Sequence, residues 1–247
     1  MYLKTVFNLL VTLLMWLYFT AGFVFLFSPF YVWAYLFSKN REVAFQRLNH
    51  YFFRGFFFLL KRLTPGVKWR FPKKIETIQS SVVVCNHLSY LDPLLLISLF
   101  PRHKTIVKNT FFKVPFFGWM IKQSGSIPAS AQGSLTQLTI ERIEATEEYL
   151  SSGGNLFIFP EGTRSRDGVV GPFSKGAFKI ARRCHAPIQV FKICGTEKLF
   201  VPGKFLFNAH ITAVITVDKL ATLAPDDGDG RVSISETMSE VRSLLTA

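Results

Sequence analysis

The sequence is poor in negative charge, and over one long stretch it has no charge of either sign. Sixteen Asp and Glu face 29 Lys and Arg in 247 residues, a net +13, and charged residues make up only 18% of the chain against 49% apolar. From Thr5 to Ser38 there is no Lys, Arg, Asp or Glu for 34 residues. Cysteine is scarce: Cys85, Cys184 and Cys194 are an odd number without paired metal-ligand spacing, which excludes a disulfide framework and offers no zinc site. Each lies in or beside an apolar run, as reduced, buried thiols do. Internal repeats and low-complexity tracts are absent. Few charges together with 15% aromatic residues exclude intrinsic disorder, and the length admits one or two domains with a sizeable core.

A basic excess of this size implies an anionic partner, and its position says which kind. Ten basic residues crowd into Lys39–Lys74 with Glu42 as the only acid, giving +9, whereas residues 75–247 hold 18 basic and 15 acidic residues. The charge therefore collars an uncharged segment. Nucleic-acid binding would instead need cations spread over the folded domain. The segment Thr5–Ser38 exceeds the roughly 20 apolar residues that cross a bilayer. Ser28-Pro29 is expected to bend or end a first helix, and Trp16, Tyr18, Tyr31, Trp33 and Tyr35 suit the headgroup level. A spanning helix from Thr5 to Phe27, a re-entrant or interfacial helical hairpin, and a buried core helix are the open readings. A signal peptide fits poorly, because the apolar run is longer than about 7–15 residues and no small-residue cleavage site follows. Residues 51–62 mix bulky rings with Arg54, Lys61 and Arg62, a composition for the membrane interface. If the first helix spans, the positive side and the rest of the chain lie at the cytoplasmic face, of the inner membrane in a bacterium. The expected division is a membrane-anchoring segment, 1–66, and a second domain, 67–247.

In the second domain short apolar runs alternate with helical patterns. Strands are expected at Ser81–Cys85, Lys104–Lys108, Asn155–Phe159, Pro187–Ile193 and Ile211–Val217, with a short strand or turn at Gly125–Pro128. Helices are expected at Leu91–Leu99, Val114–Ser124, Ser134–Leu150, Ser174–Arg183 and Ile234–Leu245, the last after an acidic loop at 226–230. This alternation predicts an α/β fold with a mixed, largely parallel sheet flanked by helices.

Two polar clusters fall where apolar strands end, the place where ligands bind in open α/β sheets. Asn86-His87-Leu88-Ser89-Tyr90-Leu91-Asp92 follows the first strand. On a straight helix, residues five apart are rotated about 140° from each other. His87 and Asp92 meet only through a turn, which Asp92-Pro93 at a helix start supplies. Paired, Asp92 fixes the tautomer of His87 and leaves the other ring nitrogen as a general base. The alternative is a capping Asp beside an ordinary loop histidine. Ser89 as a nucleophile lacks the Gly-x-Ser-x-Gly elbow. Phe159-Pro160-Glu161-Gly162-Thr163-Arg164-Ser165 follows a later strand and reads as an anion cradle: Arg164 presents a planar fork for phosphate, and Gly162 and Thr163 add backbone and hydroxyl donors. Glu161 cannot bind phosphate and is left to orient Arg164 or to accept an acceptor hydroxyl. A solvated turn with a surface ion pair is the other reading of this cluster.

Together the clusters resemble the first and third blocks of the glycerolipid acyltransferase family, most closely its 1-acylglycerol-3-phosphate (lysophosphatidate) branch. Lys108-Asn109-x3-Lys113-Val114-Pro115-x2-Gly118 resembles the second block and Ala186-Pro187-Ile188-Gln189-Val190 the fourth, so the resemblance spans residues 67–220. It implies transfer of a fatty acyl group from acyl-CoA or acyl-carrier-protein, without a cofactor or metal, to a lysophospholipid hydroxyl. His87 would be the general base held by Asp92, Lys108 would stabilise the oxyanion, and Glu161, Gly162, Thr163 and Arg164 would hold the acceptor phosphate, with Asn86, Pro160 and Ser165 supporting the motifs. It also implies an N-terminal membrane-associated helical motif. The sequence departs from the family in having no arginine after Gly125-Ser126-Ile127, a residue associated with acceptor phosphate, and no second proline in the fourth block. The acceptor therefore stays open among lysophosphatidate, lyso-aminolipid, glycolipid and other lysophospholipids, and a non-catalytic lipid-binding protein is the alternative of a different class.

Overall fold

The computed structural model describes residues 2–165, 167–224 and 233–247; the acidic loop at 226–230 lies outside them. The uncharged segment is one unbroken helix, made of α1 (Tyr2–Leu17), a π-helical stretch (Tyr18–Phe27) and α2 (Ser28–Phe37). The helix does not end at Ser28-Pro29. Pro29 lies where π winding returns to α winding, and the Ser28 hydroxyl donates to the Val24 carbonyl, so an acceptor is satisfied beside the missing N–H. The wider winding before it lets the Ser28 N–H reach the Phe23 carbonyl, five residues back. Asn40 then caps α3 (Arg41–Leu63), accepting the Val43 N–H at 3.0 Å. The Tyr31 hydroxyl donates to Asn49 Oδ1 and the Tyr18 hydroxyl to the Phe52 carbonyl, each at 2.7 Å. These pairs advance along the chain in opposite directions, so the two helices form an antiparallel hairpin.

Seven strands form one sheet: β1 (Val67–Arg70), β2 (Ser81–Cys85), β3 (His103–Val107), β4 (Ile127–Pro128), β5 (Asn155–Ile158), β6 (Ile188–Cys194) and β7 (Ala213–Leu223), in the order β1-β7-β6-β2-β5-β3-β4. Only β6 and β7 pair antiparallel, so the sheet is mixed and largely parallel. The period of two along each strand divides the core. Val82, Val84, Leu156 and Ile158 pack under Phe178 of α8 (Gly176–Arg183) and Val241 of α10 (Ile234–Thr246). Val83, Cys85, Phe157 and Phe191 face the other way, onto Leu95 of α4 (Leu91–Leu99), Phe53 and Phe57 of α3, and Val11 and Met15 of α1. The hairpin and the sheet therefore share one core. Each fully buried ring contributes about 2 kcal/mol of transfer free energy, so the phenylalanines of α3 fasten the hairpin to the sheet.

Three expected boundaries move. β7 runs six residues past Val217, paired with β6 through its backbone. The helix expected over 134–150 is two, α6 (Thr136–Glu144) and α7 (Thr146–Ser151). The helix expected from Val114 starts later, as α5 (Phe117–Gln123), because Asn109–Lys113 takes up a 3₁₀ turn. Cys85, Cys184 and Cys194 are free thiols, each held above the ordinary thiol range chiefly by burial.

Candidate active site

Strands β2 and β5 are parallel neighbours, so the two polar clusters leave the same edge of the sheet side by side. The rings of His87 and Phe159 stack, with centroids 4.3 Å apart and planes 25° from parallel. After His87 the chain turns into α4, and Asp92, in its first turn, reaches back over that turn. Asp92 Oδ2 accepts the Leu88 N–H at 2.6 Å, the Ser89 N–H at 2.7 Å and His87 Nδ1 at 2.9 Å. Its Oδ1 accepts the Thr196 hydroxyl at 2.6 Å. Two backbone donors, a hydroxyl and an imidazole thus converge on a carboxylate that is 0% exposed, which is what a buried charge requires. Because a carboxylate oxygen faces Nδ1, the proton is assigned to Nδ1 and the lone pair to Nε2, on a ring that is 15% exposed.

Two further residues hold this arrangement. The Asn86 amide accepts the Ile193 N–H at 2.7 Å and donates to the Ile193 carbonyl at 2.8 Å, fixing the end of β2 to β6. Thr196 opens the short helix α9 (Thr196–Leu199) after Gly195, whose φ of +87° and contact with the Val214 carbonyl leave no room for a Cβ. Ser89 is turned away: its buried hydroxyl donates to the Phe200 carbonyl at 3.0 Å and receives the Leu91 N–H, so no Ser-His-Asp set is assembled.

In the second cluster the structure gives Glu161 different partners from those expected. Its Oε1 accepts the His87 N–H at 3.0 Å and its Oε2 the Gly171 N–H at 2.9 Å. With both oxygens bonded to backbone, Glu161 clamps the two clusters together instead of orienting Arg164. The Ser165 N–H adds a second tie, to the His87 carbonyl at 2.8 Å, and the Pro160 carbonyl accepts the Ser174 N–H at 2.7 Å. Arg164 lies over Tyr90, its Cζ 3.4 Å from the ring centroid, and its buried Nη1 has no hydrogen-bond partner among the described residues. Arg164, Thr163 and Lys108 line one cleft of about 640 Å³ with Val201, Pro202 and Gly203. Gly162 is exposed at φ +66° at the tip of its turn. Asn109, next to Lys108, binds the Ser130 carbonyl and hydroxyl, and so fixes the segment that lacks the family's arginine. Among the described residues no group of three His, Cys, Asp or Glu side chains could hold a metal ion.

Sequence reasoning missed Thr196 and the role of Tyr90. An exposed ring beside a candidate base was a signal for Tyr90; Thr196, 104 residues from Asp92, carried none. The assembled site contains a buried carboxylate orienting an imidazole, beside a cleft with two cations, one of them a half-buried guanidinium whose Nη1 has no hydrogen-bond partner among the described residues.

The Acyltransferase family profile matches residues 66–193, just over half of the chain. The chloroplastic 1-acyl-sn-glycerol-3-phosphate acyltransferase BAT2 of Brassica napus is 37% identical over 133 residues, covering 52% of this chain and 38% of its own. The Caenorhabditis elegans protein acl-2 is 30% identical over 206 residues, covering 80% of this chain and 69% of its own. The chain thus spans well under half the length of the plant relative. Among solved structures, the 1-acyl-sn-glycerophosphate (LPA) acyltransferase PlsC of Thermotoga maritima superposes with a TM-score of 0.75 over 98% of this chain and 94% of its own, at 23% identity, a likeness of fold.

Proposed function

Because this chain belongs to the Acyltransferase family, we propose that it transfers a fatty acyl group from acyl-CoA or acyl-carrier-protein to 1-acylglycerol-3-phosphate, giving phosphatidate. The observation that carries the reading is the half-buried His87 ring held by buried Asp92 beside Arg164, whose Nη1 has no hydrogen-bond partner among the described residues. A phosphate monoester carries close to two negative charges, which the Arg164 guanidinium complements, and Thr163 adds a hydroxyl donor. With the phosphate held there, His87 Nε2 takes the proton of the acceptor hydroxyl as its oxygen attacks the thioester carbonyl. Asp92 stabilises the imidazolium that forms. Lys108 offsets the negative charge on the tetrahedral oxygen. The C–S bond then breaks, and the thiolate leaves with the proton from His87. No acyl-enzyme forms, because the acceptor oxygen is itself the nucleophile.

The protein works at a membrane surface. Protein contacts hold the first helix from Asn8, which accepts the Ala209 N–H, to Tyr35, which packs on Trp119. At 1.5 Å per residue that is about 40 Å of one helix docked on its own domain, which supports reading it as lying along the surface of a bilayer of about 30 Å instead of crossing it alone, although its length and apolarity would suffice for a crossing. Its other face exposes Leu10, Leu13, Leu17, Phe25, Trp33 and Phe37. We assign this face to the acyl boundary of one leaflet, and the basic collar beside it favours the anionic cytoplasmic leaflet.

The test is acyl transfer by the purified protein with a panel of lysolipids and both donor types. Lysophosphatidate is expected to be the preferred acceptor and His87→Ala to abolish transfer while vesicle binding persists. Transfer retained by His87→Ala would refute the mechanism. Equal use of acceptors lacking a phosphate monoester would refute the acceptor.

A further inference from the structure

A second groove, of about 790 Å³, lies between α3, the end of α4 and the segment after β1. Asp92 sits at the start of α4, whereas Ser98 and Leu99 at its far end, about 10 Å of helix away, line this groove with Pro101 just beyond them. The groove is therefore at the opposite edge of the sheet from the catalytic cleft. One stripe of α3 forms its wall: Arg47, Tyr51, Arg54, Phe58 and Lys61 all line it. Their spacing of four, three, four and three residues places them on a single helix face. Cation and ring alternate along about 20 Å.

The cations of this stripe are uncompensated. Among the described residues no carboxylate lies within ion-pair distance of Arg47, Arg54 or Lys61, and Glu76 is the one acid on the lining. Lys61 lies over the rings of Phe71, at 4.4 Å, and Trp69, at 5.3 Å. Burial, and after it the charge of Arg54, holds Lys61 below the usual lysine range; the same two influences act downward on His50, also on the lining, against the pull of the Ile97 carbonyl. Between the cations the rings stay wet, with Tyr51 59% and Phe58 61% exposed. A site for a small soluble anion has no use for exposed rings between its cations, whereas an amphiphile with a charged head and an apolar body uses both. The stripe also sits on the helix that packs along the lipid-facing helix of the hairpin.

We propose that this groove is a second lipid site, which seats the headgroup of an anionic phospholipid of the bilayer among Arg47, Arg54 and Lys61 with Tyr51 and Phe58 against its glycerol and upper acyl region. It is distinct from the acceptor cleft, and its occupant is a bound lipid of the surface on which the enzyme works.

The test compares partition of the full-length protein onto vesicles of phosphatidylcholine alone and of phosphatidylcholine mixed with phosphatidylglycerol. Two triple variants are used: Arg47→Gln/Arg54→Gln/Lys61→Gln in the groove, and Lys68→Gln/Lys73→Gln/Lys74→Gln, which removes equal charge outside it. Each cation near an anionic surface is worth about fivefold in partition. The groove triple is therefore expected to lose on the order of a hundredfold in preference for the anionic vesicles, and the control triple much less. Acyl transfer in neutral detergent micelles should be unchanged in the groove triple, which shows that it folds. Equal losses in the two triples would mean a diffuse collar and overturn the proposal. It would equally be overturned if the wild type showed no preference between vesicles, the outcome for a groove that serves an acidic protein. Partition requires no catalysis, so failure of this site and failure of the acyltransferase reading are separable.

Discussion

Replacing Asp92 by Asn isolates what its charge does, because the surrounding hydrogen bonds dictate how the amide must sit. The Leu88 and Ser89 N–H groups and His87 Nδ1 converge on Oδ2, so an amide NH₂ there would face three donors. The Asn oxygen must therefore occupy that position and its NH₂ the position of Oδ1. There it meets the Thr196 hydroxyl, which can rotate to accept. The Nδ1-protonated tautomer and the ring orientation survive; the negative charge is lost. Two unit charges about 4 Å apart interact by about 4 kcal/mol at an effective dielectric of 20. Asp92→Asn is accordingly expected to lower kcat about 10³-fold, with the acceptor KM nearly unchanged and thermal stability close to that of the parent. Steady-state kinetics on the detergent-purified protein, with melting curves alongside, measure this. Asp92→Ala, which strands all four donors, should instead lose at least about 3 kcal/mol of stability and melt earlier. Activity of Asp92→Asn within tenfold of the parent would refute the argument that the carboxylate stabilises a charge forming on His87.

Arg164→Lys removes the planar fork and its stacking on Tyr90 while keeping a positive charge. Its acceptor KM should rise about ten- to a hundredfold with little change in kcat, and a rise confined to the donor KM would take Arg164 out of the acceptor site. His103 is fully buried and its pKa is lowered to about 4, chiefly by desolvation. The unfolded chain thus binds more protons between about pH 6.5 and 4, and the stability that the neutral ring provides is whole above that window. It is lost as pH falls through it, by about 3 kcal/mol. His103→Asn keeps a donor toward the Phe100 carbonyl and should flatten this part of the melting-temperature profile; a profile identical to that of the parent would contradict the assignment.

The strands that could be read from the sequence are those with side chains buried on at least one face. Ser81–Cys85 is buried at every position, and the apolar run that announces it follows directly from that. The second half of β7 could not be read, because beyond Val217 it is exposed and is held by backbone bonds to β6 that are indifferent to side-chain type. Nothing in the sequence marks the joint between α6 and α7 at Ala145, which falls within one continuous amphipathic pattern. The candidate site divides in the same way. His87, Asp92 and Arg164 were legible because each lies in a short polar block that ends an apolar strand. The use made of Glu161 was not, since its partners are the N–H groups of His87 and Gly171, and a backbone donor leaves no mark in a sequence.

Glu42 shows how the charge pattern and the fold depend on each other. It is the only acid within the collar of ten basic residues, yet it neutralises none of them. Its Oε1 lies 2.8 Å from Lys104 Nζ on β3 and its Oε2 2.6 Å from Arg142 Nη1 on α6. The side chain of Lys104 is 2% exposed and its ammonium lies 4.0 Å from the centre of the Tyr149 ring, whose hydroxyl donates to Gln46 on α3. Desolvation holds Lys104 below the usual lysine range, and Glu42 is the main influence opposing it. An ammonium so deeply buried would cost several kcal/mol without its partner, so the start of α3 is fixed to the sheet by a charge that the sheet itself requires. Gly125, at φ +82°, leaves the space in which Glu42 and Lys104 meet. The consequence reaches the membrane. Since Glu42 is turned inward, the ten cations around it have no ion-pair partner among the described residues. The same contact that docks the hairpin on the sheet therefore leaves the cations of the α3 stripe, Arg47, Arg54 and Lys61, without an acid from their own helix.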